Sequence, residues 1–310
     1  MKFGIYPPTG WHDYLNYNVQ TAMFETAKLA EDLGYDGIWA NDVVVVNKDA
    51  THASFTSHVI EPLITLASLI HLVPNINLGV SVLPLPLRNL FLLAKQVAAL
   101  DIYSGGRFRL GVGVGWREDE FKLMGADFVY RGATTDEAIQ VLQRLWREPD
   151  VSFDGQFHKF SNALLYPKPA NTGPPIWIGG NSRAAIRRAA KFGDAWVPFA
   201  ASVDEIEVGL TMLRDLTEDR PVPRIATEMS IRVIVDGKPK PEPRSGSNTD
   251  YETTVEGSPD EVIQALQAYQ KVGLDYVICI FYADQIDDLL DQMQIFAQQV
   301  MPHFSYPSNI

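Results

Sequence analysis

Two glycine-rich stretches carry the residue types from which a binding site could be built. In GGRFRLGVGVGWREDE (105–120), Gly111, Gly113 and Gly115 take alternate positions of a β-branched run that ends in Trp116 and acids. Glycine weakens a strand interior by roughly 0.5–1 kcal/mol relative to alanine. Either the backbone turns there or something large lies against it. A planar ring or a phosphate approaching the backbone is one such object, and tight strand packing supplies the other. In IWIGGNSRAA (176–185), Gly179 and Gly180 end a second strand, and Asn181 or Ser182 caps the helix that follows. Free N–H groups at that helix start, its dipole and Arg183 describe an anion site. A plain capped loop is the bland alternative.

Other chemistries lack their signatures. The glycines read G-x-G-x-G before Trp116, not the G-x-G-x-x-G that opens a dinucleotide-binding helix. No G-x-S-x-G elbow is present, and the six histidines show neither H-x-H nor H-E-x-x-H spacing, so no metal is expected. Cys279, the one cysteine, lies inside YVICIFY as a buried inert thiol. Candidates for proton transfer are His12, in the loop PPTGWHD after the first apolar run, and Asp42, in NDV after the second. A solvated loop histidine and a structural hydrogen-bond acceptor are their respective alternatives.

A repeated architecture must position these groups. KFGIYP, DGIWAND, INLGVSVLP, FRLGVGVG, PIWIGG, AWVPFA, EMSIRVIV and YVICIFY each precede an amphipathic helical stretch. Eight short strands, apolar on consecutive positions and alternating with helices, require a parallel sheet buried on both faces. Eight such units in 310 residues predict an α/β fold, a (β/α)8 TIM barrel with insertions, as a single domain over 1–310. The site then lies where the strands end, and those ends are rich in Gly, Pro and polar residues. SPDE (258–261) and TTDE (134–137) read as capping boxes opening helices. Two insertions break the alternation. The segment 150–175 starts with a hairpin around Asp154-Gly155. The segment 236–257 is rich in Pro, Ser and charge and reads as a loop or lid.

Composition narrows the partners. The formal net charge is −12 and the basic residues are scattered, so no nucleic-acid footprint is expected. No run approaches the roughly 20 apolar residues of a membrane span. A start without an apolar targeting region, together with the single cysteine, gives the expectation of a cytoplasmic protein.

SGGRFRLGVGVGWREDEF, PPIWIGGNSRAAIRRAAKFGDAWVP and LGVSVLPLPLRNLFLLAKQVAALD together resemble the luciferase-like monooxygenase superfamily, most of all its branch of deazaflavin-dependent oxidoreductases. The resemblance runs over nearly the whole chain. It implies a barrel, often dimeric, that binds reduced FMN or coenzyme F420 and acts on a small organic substrate. It further implies a non-prolyl cis peptide between Ser81 and Val82, in a bulge backing the ring. Asp42 matches an acidic position beside the ring, and Gly113, Val114, Gly115 and Trp116 match a segment lining the cofactor. Gly179, Gly180, Asn181 and Ser182 match the segment at its phosphate.

Two departures bear on the substrate. Val43 stands where several relatives have a histidine, and Trp116 stands where the sugar-phosphate branch has a glutamate. The apolar pair points to a fairly apolar substrate. The leading expectation is therefore F420-dependent hydride transfer to or from such a molecule. An FMNH2-dependent two-component monooxygenase, which would require a flavin reductase partner, is the near rival. A non-catalytic cofactor-binding barrel and a phosphate-handling barrel without flavin are the alternatives from other classes.

Overall fold

The computed structural model describes residues 1–8, 18–49, 58–217, 220–235, 254–281 and 285–304. Strands β1 (Lys2–Ile5), β2 (Gly37–Ala40), β3 (Asn77–Pro84) and β4 (Phe108–Gly113) alternate with helices α1 (Val19–Asp32), α2 (Pro62–Leu69) and α3 (Leu90–Tyr103). Helices α4 (Glu118–Met124) and α5 (Arg131–Arg147) follow β4, and the pair β5 (Val151–Asp154) and β6 (Lys159–Ala163) forms an antiparallel hairpin. The alternation then resumes with β7 (Ile176–Gly179), α6 (Arg183–Phe192), β8 (Ala195–Val197), α7 (Val203–Leu216) and β9 (Arg224–Val233). It ends with β10 (Thr254–Gly257), α8 (Pro259–Lys271), β11 (Tyr276–Phe281) and α9 (Ile286–Gln299).

Eight of these strands close a parallel barrel in the order β1, β2, β3, β4, β7, β8, β9, β11, with β11 returning to β1 through Lys2–Tyr276 to Ile5–Cys279. Its lumen is a packed core. Trp39, Trp177 and Tyr276 fill it, with the two tryptophan rings 4.4 Å apart and Trp177 5.2 Å from Tyr276. Trp39 Nε1 donates to Tyr276 Oη at 3.1 Å, satisfying a buried polar pair. Small residues face these rings: a Cβ on Gly4 would come within 2.5 Å of Trp39 Nε1, and one on Gly79 would overlap the same indole. Other strand residues, Ile5, Ile38, Leu78, Leu110 and Ile178, are fully buried in a second and larger apolar cluster, away from these rings.

The helix starts follow local chemistry. Ser258 and Glu261 form the capping box read from SPDE, and Ser202 with Glu205 forms another. TTDE does not open a helix. The Asp127 carboxylate accepts from Val129 and Tyr130 N–H, so α5 starts at Arg131, before Thr134. Glu137 instead accepts from the N–H groups of Gln156 and Phe157 and ties the hairpin to α5. The segment 236–257 is also corrected in part. Its last four residues form β10, because β9 runs past the barrel rim and leaves Ser230–Val233 open for parallel pairing. Residues 236–253 lie outside the described residues. Burial pushes the Cys279 thiol well up, as an inert thiol requires. No helix among the described residues is long and apolar enough to cross a membrane.

Candidate functional site

The β3–β4 ladder holds the answer to the alternating glycines. Its register runs from Leu78–Phe108 to Val80–Leu110 and then slips, so that Leu83 faces Val112 and Pro84 faces Gly113. The extra residue makes a bulge containing Ser81 and Val82, whose connecting peptide is cis. The Val80 carbonyl turns towards β4 and leaves no room for a Cβ on Gly111. The Val82 side chain lies across the next two strands. A Cβ on Gly113 would come within 2.7 Å of Val82 Cγ2, and one on Gly179 within 2.8 Å of Val82 Cγ1. The object against these glycines is therefore a neighbouring side chain, where close approach of a ligand to the backbone was the expectation. The surface offered to a ligand passes to Val82, which is half-buried. Gly115 differs, since its φ of +78° is a genuine turn that seats Phe121 beside it.

Beneath the bulge, three polar groups from three strands converge. Tyr6, just past β1, donates its hydroxyl to the Ser81 carbonyl at 2.6 Å. The Ser81 hydroxyl donates to Glu228 Oε1 at 2.6 Å, and the Tyr6 hydroxyl also faces this carboxyl. Burial pushes the Glu228 carboxyl up to about 7, with the Ser81 and Tyr6 hydrogen bonds pulling it down less. Neither Glu228 nor Tyr6 is among the candidates named from the sequence. A signal was present in EMSIRVIV, where Glu228, Ser230 and Arg232 alternate with apolar residues in a strand that should be apolar on both faces.

Asp42 sits at the end of β2 with its side chain only 1 % exposed. Arg88 Nη2 reaches its Oδ1 at 2.5 Å, and Arg88 Nη1 reaches Glu61 at 3.0 Å. Asp42 Oδ2 has no hydrogen-bond partner among the described residues. Burial raises the Asp42 carboxyl and the Arg88 charge pulls it back. The ion pair accounts for Oδ1 alone, and Oδ2 is the atom left for the second reading of this residue. The loop beyond Asp42 is held by α4, where Glu120 accepts from Val44 N–H at 2.7 Å and Asp119 from Asn47 N–H at 3.2 Å. Val44 and Val45 stay exposed, as does Trp116, at 71 %, with the Arg117 guanidinium 5.4 Å from its ring. Val43 and Val114 are half-buried. His12 lies outside the described residues.

On the neighbouring strand, Gly180 adopts φ +120°, and its N–H donates to the Val197 carbonyl at 3.0 Å. Ser182 caps α6 through Ala185 N–H at 3.2 Å. Asn181 does not cap. Its amide pairs with both backbone groups of Phe199, which ties this turn to the loop after β8. Ser182 and Arg183 remain exposed at the helix start, where the first N–H groups of a helix lack intrahelical partners. A separate cavity of about 330 Å³ opens at the opposite end of the barrel, by Lys2, Asp36 and Asn77. Asp36 is already paired there with Lys2 at 2.5 Å and with Asn77, and that end of a barrel serves stability.

Residues 1–241 match the family model described as luciferase-like monooxygenase. The chain belongs to this family. Its relatives include an uncharacterised protein of Mycobacterium tuberculosis (strain ATCC 25618 / H37Rv), 35% identical over 162 residues covering 52% of this chain and 55% of that one. The chain thus spans about half the length of the mycobacterial relatives it matches. The FMNH2-dependent dimethylsulfone monooxygenase of Pseudomonas fluorescens (strain Pf0-1) is 26% identical over 256 residues, 68% of this chain and 69% of that one. Among solved structures, the monooxygenase RslO1 of Streptomyces bottropensis superposes with a TM-score of 0.82 at 22% identity, covering 98% of this chain and 100% of that one. An F420-dependent secondary alcohol dehydrogenase holding an F420-acetone adduct gives 0.79 at 17% identity, over 98% and 99% of the two chains. At these identities the structural matches speak for the barrel fold alone.

Proposed function

We propose that this barrel is a flavin- or deazaflavin-dependent oxidoreductase, with coenzyme F420 as the first candidate and hydride transfer to or from a small, fairly apolar organic substrate as the reaction. The observation that carries this reading is the Val82 shelf. A β3 bulge lays one aliphatic side chain over Gly113 and Gly179, two strands deep and beside a helix N-terminus. A flat ring fits such a shelf, and a phosphorylated tail fits the start of α6.

When bound, the cofactor supplies the two-electron carrier; the chain supplies position and environment. Val82 would support the ring from one side. The first N–H groups of α6 and the Arg183 side chain would hold the phosphate. Val43, Val114 and Trp116 would exclude water beside the reacting atoms and favour an apolar substrate. Arg88 keeps Asp42 fixed under this wall, and the orphaned Asp42 Oδ2 is an acceptor that a bound hydroxyl or ring N–H would satisfy.

A second reading has its own support. The Pseudomonas fluorescens relative, which aligns over two thirds of both chains, is FMNH2-dependent. In that reading a separate flavin reductase delivers the reduced cofactor, and oxygen is a substrate. Titrating the purified protein with FMN and F420, oxidised and reduced, with and without oxygen, separates the cases. Tight binding of F420 with turnover indifferent to oxygen supports the first. Oxygen consumption with reduced FMN supports the second. Binding of neither cofactor would remove both.

A further inference from the structure

We propose that Glu228 is a positioning residue for the Val82 shelf, and that it does this work as the neutral acid, closing a hydrogen-bonded ring with Tyr6 and Ser81. Its relevance to a cofactor rests on the function proposed above; the effect on the shelf does not.

Ser81 Oγ–H is committed to Glu228 Oε1 at 2.6 Å. The Tyr6 hydroxyl has one hydrogen and two acceptors, the Ser81 carbonyl at 2.6 Å and the Glu228 carboxyl it also faces. With Glu228 ionised, that hydrogen serves one acceptor and the other is left short. With Glu228 protonated, the acid O–H donates to Tyr6 Oη and the tyrosine hydrogen goes to the Ser81 carbonyl. Every group in the ring is then satisfied, which a site with little water favours strongly. Both bonds to Ser81 end on the bulge residue that carries Val82, so the proton on Glu228 governs how firmly the shelf is held.

Among the described residues, no cation is paired with Glu228. From β11, Ile278 lies in register with Glu228, and from β8 only the Phe199 backbone bridges to it. Tyr6 is the titratable group facing it from β1, and Ser81 the polar group from β3. On β9 itself, Arg232 is paired with Glu256 at 2.7 Å. The burial-driven rise of the Glu228 carboxyl to about 7 agrees with the hydrogen count.

The test needs no cofactor in its first arm. In protein carrying labelled valine methyls and glutamate carboxyls, the Glu228 carboxyl and the Val82 methyl signals should titrate together, with a common midpoint near neutrality. In Glu228→Gln, whose amide can donate to Tyr6 and accept from Ser81, the Val82 signal should stay at its low-pH position throughout. A Val82 signal in the wild type that ignores pH between about 6 and 8, or a Glu228 carboxyl that is already ionised at about pH 5, overturns the proposal. In the second arm, FMN and F420 are the probes. Whichever binds should lose affinity on the order of tenfold as the ring opens, in the wild type but not in Glu228→Gln, while Glu228→Ala binds weakly at every pH. Equal weakening in Gln and Ala would also overturn it. If neither probe binds, the proposed function fails and the methyl titration still decides the positioning role.

Discussion

The Val82 side chain occupies the space that a Cβ on Gly113 would need, with Cγ2 only 2.7 Å from that position. Gly113 is a glycine because of Val82, and the two should be energetically coupled. Gly113→Ala should leave the barrel folded, displace Val82, and weaken FMN or F420 binding by at least about tenfold, since overpacking of this kind costs roughly 1–3 kcal/mol. Gly113→Ala combined with Val82→Ala should recover part of that loss. A double-mutant cycle on cofactor affinity measures the coupling, and strict additivity would show that Val82 is not the seat.

Glu228 should make stability fall with rising pH. Its folded carboxyl sits at about 7, above the ordinary 4.5. The folded state therefore keeps a proton that the unfolded state releases. Stability from this group is fully present below about 4.5 and is lost progressively as pH rises to about 7, by on the order of 3 kcal/mol. Urea unfolding at pH 5 and pH 8 should show wild type and Glu228→Gln nearly equal at the lower pH relative to the higher, where Gln is the more stable. A constant difference across that range would contradict the assignment.

Arg88 is the counter-charge that lets Asp42 stay buried. Arg88→Met should cost about 3–5 kcal/mol at pH 8, because one partner of a buried pair is left uncompensated. Without Arg88 the Asp42 carboxyl rises further, so the deficit should shrink as the pH falls and Asp42 takes a proton. Asp42→Asn should be milder, and Asn with Met together milder than Met alone. Melting curves at two pH values read this directly.

Ser182 and Arg183 at the start of α6 are expected to recognise a phosphate. Replacing both by alanine should weaken FMN by about tenfold or more while leaving riboflavin much less affected, because charge-assisted hydrogen bonds are worth about 1.5–3 kcal/mol each. The loss of the Ser182 cap adds about 1 kcal/mol of destabilisation, which a melting curve separates from the binding effect. Equal weakening of both ligands would remove the anion site.

Much of this architecture could be read directly from residue order. Short runs such as GIWA and AWV, apolar on every position and spaced by amphipathic helices, can only be buried strands of a parallel sheet, and eight of them close into a barrel. Ser258 and Glu261, three residues apart with Pro259 between them, stated their own capping box. Such features are local, and local chemistry is sufficient for them. The partners of the glycines were not legible, because Val82 meets Gly113 and Gly179 only after β3 slips in register against β4 and β7 packs alongside. Nor could the order of residues say that Arg88 would neutralise Asp42, 46 positions away, or that Tyr6, Ser81 and Glu228 would share one set of hydrogens, with Ser81 75 positions from Tyr6 and 147 from Glu228. Those relationships depend on the closure of the barrel, which brings distant strands to hydrogen-bonding distance and buries the polar groups that then satisfy one another.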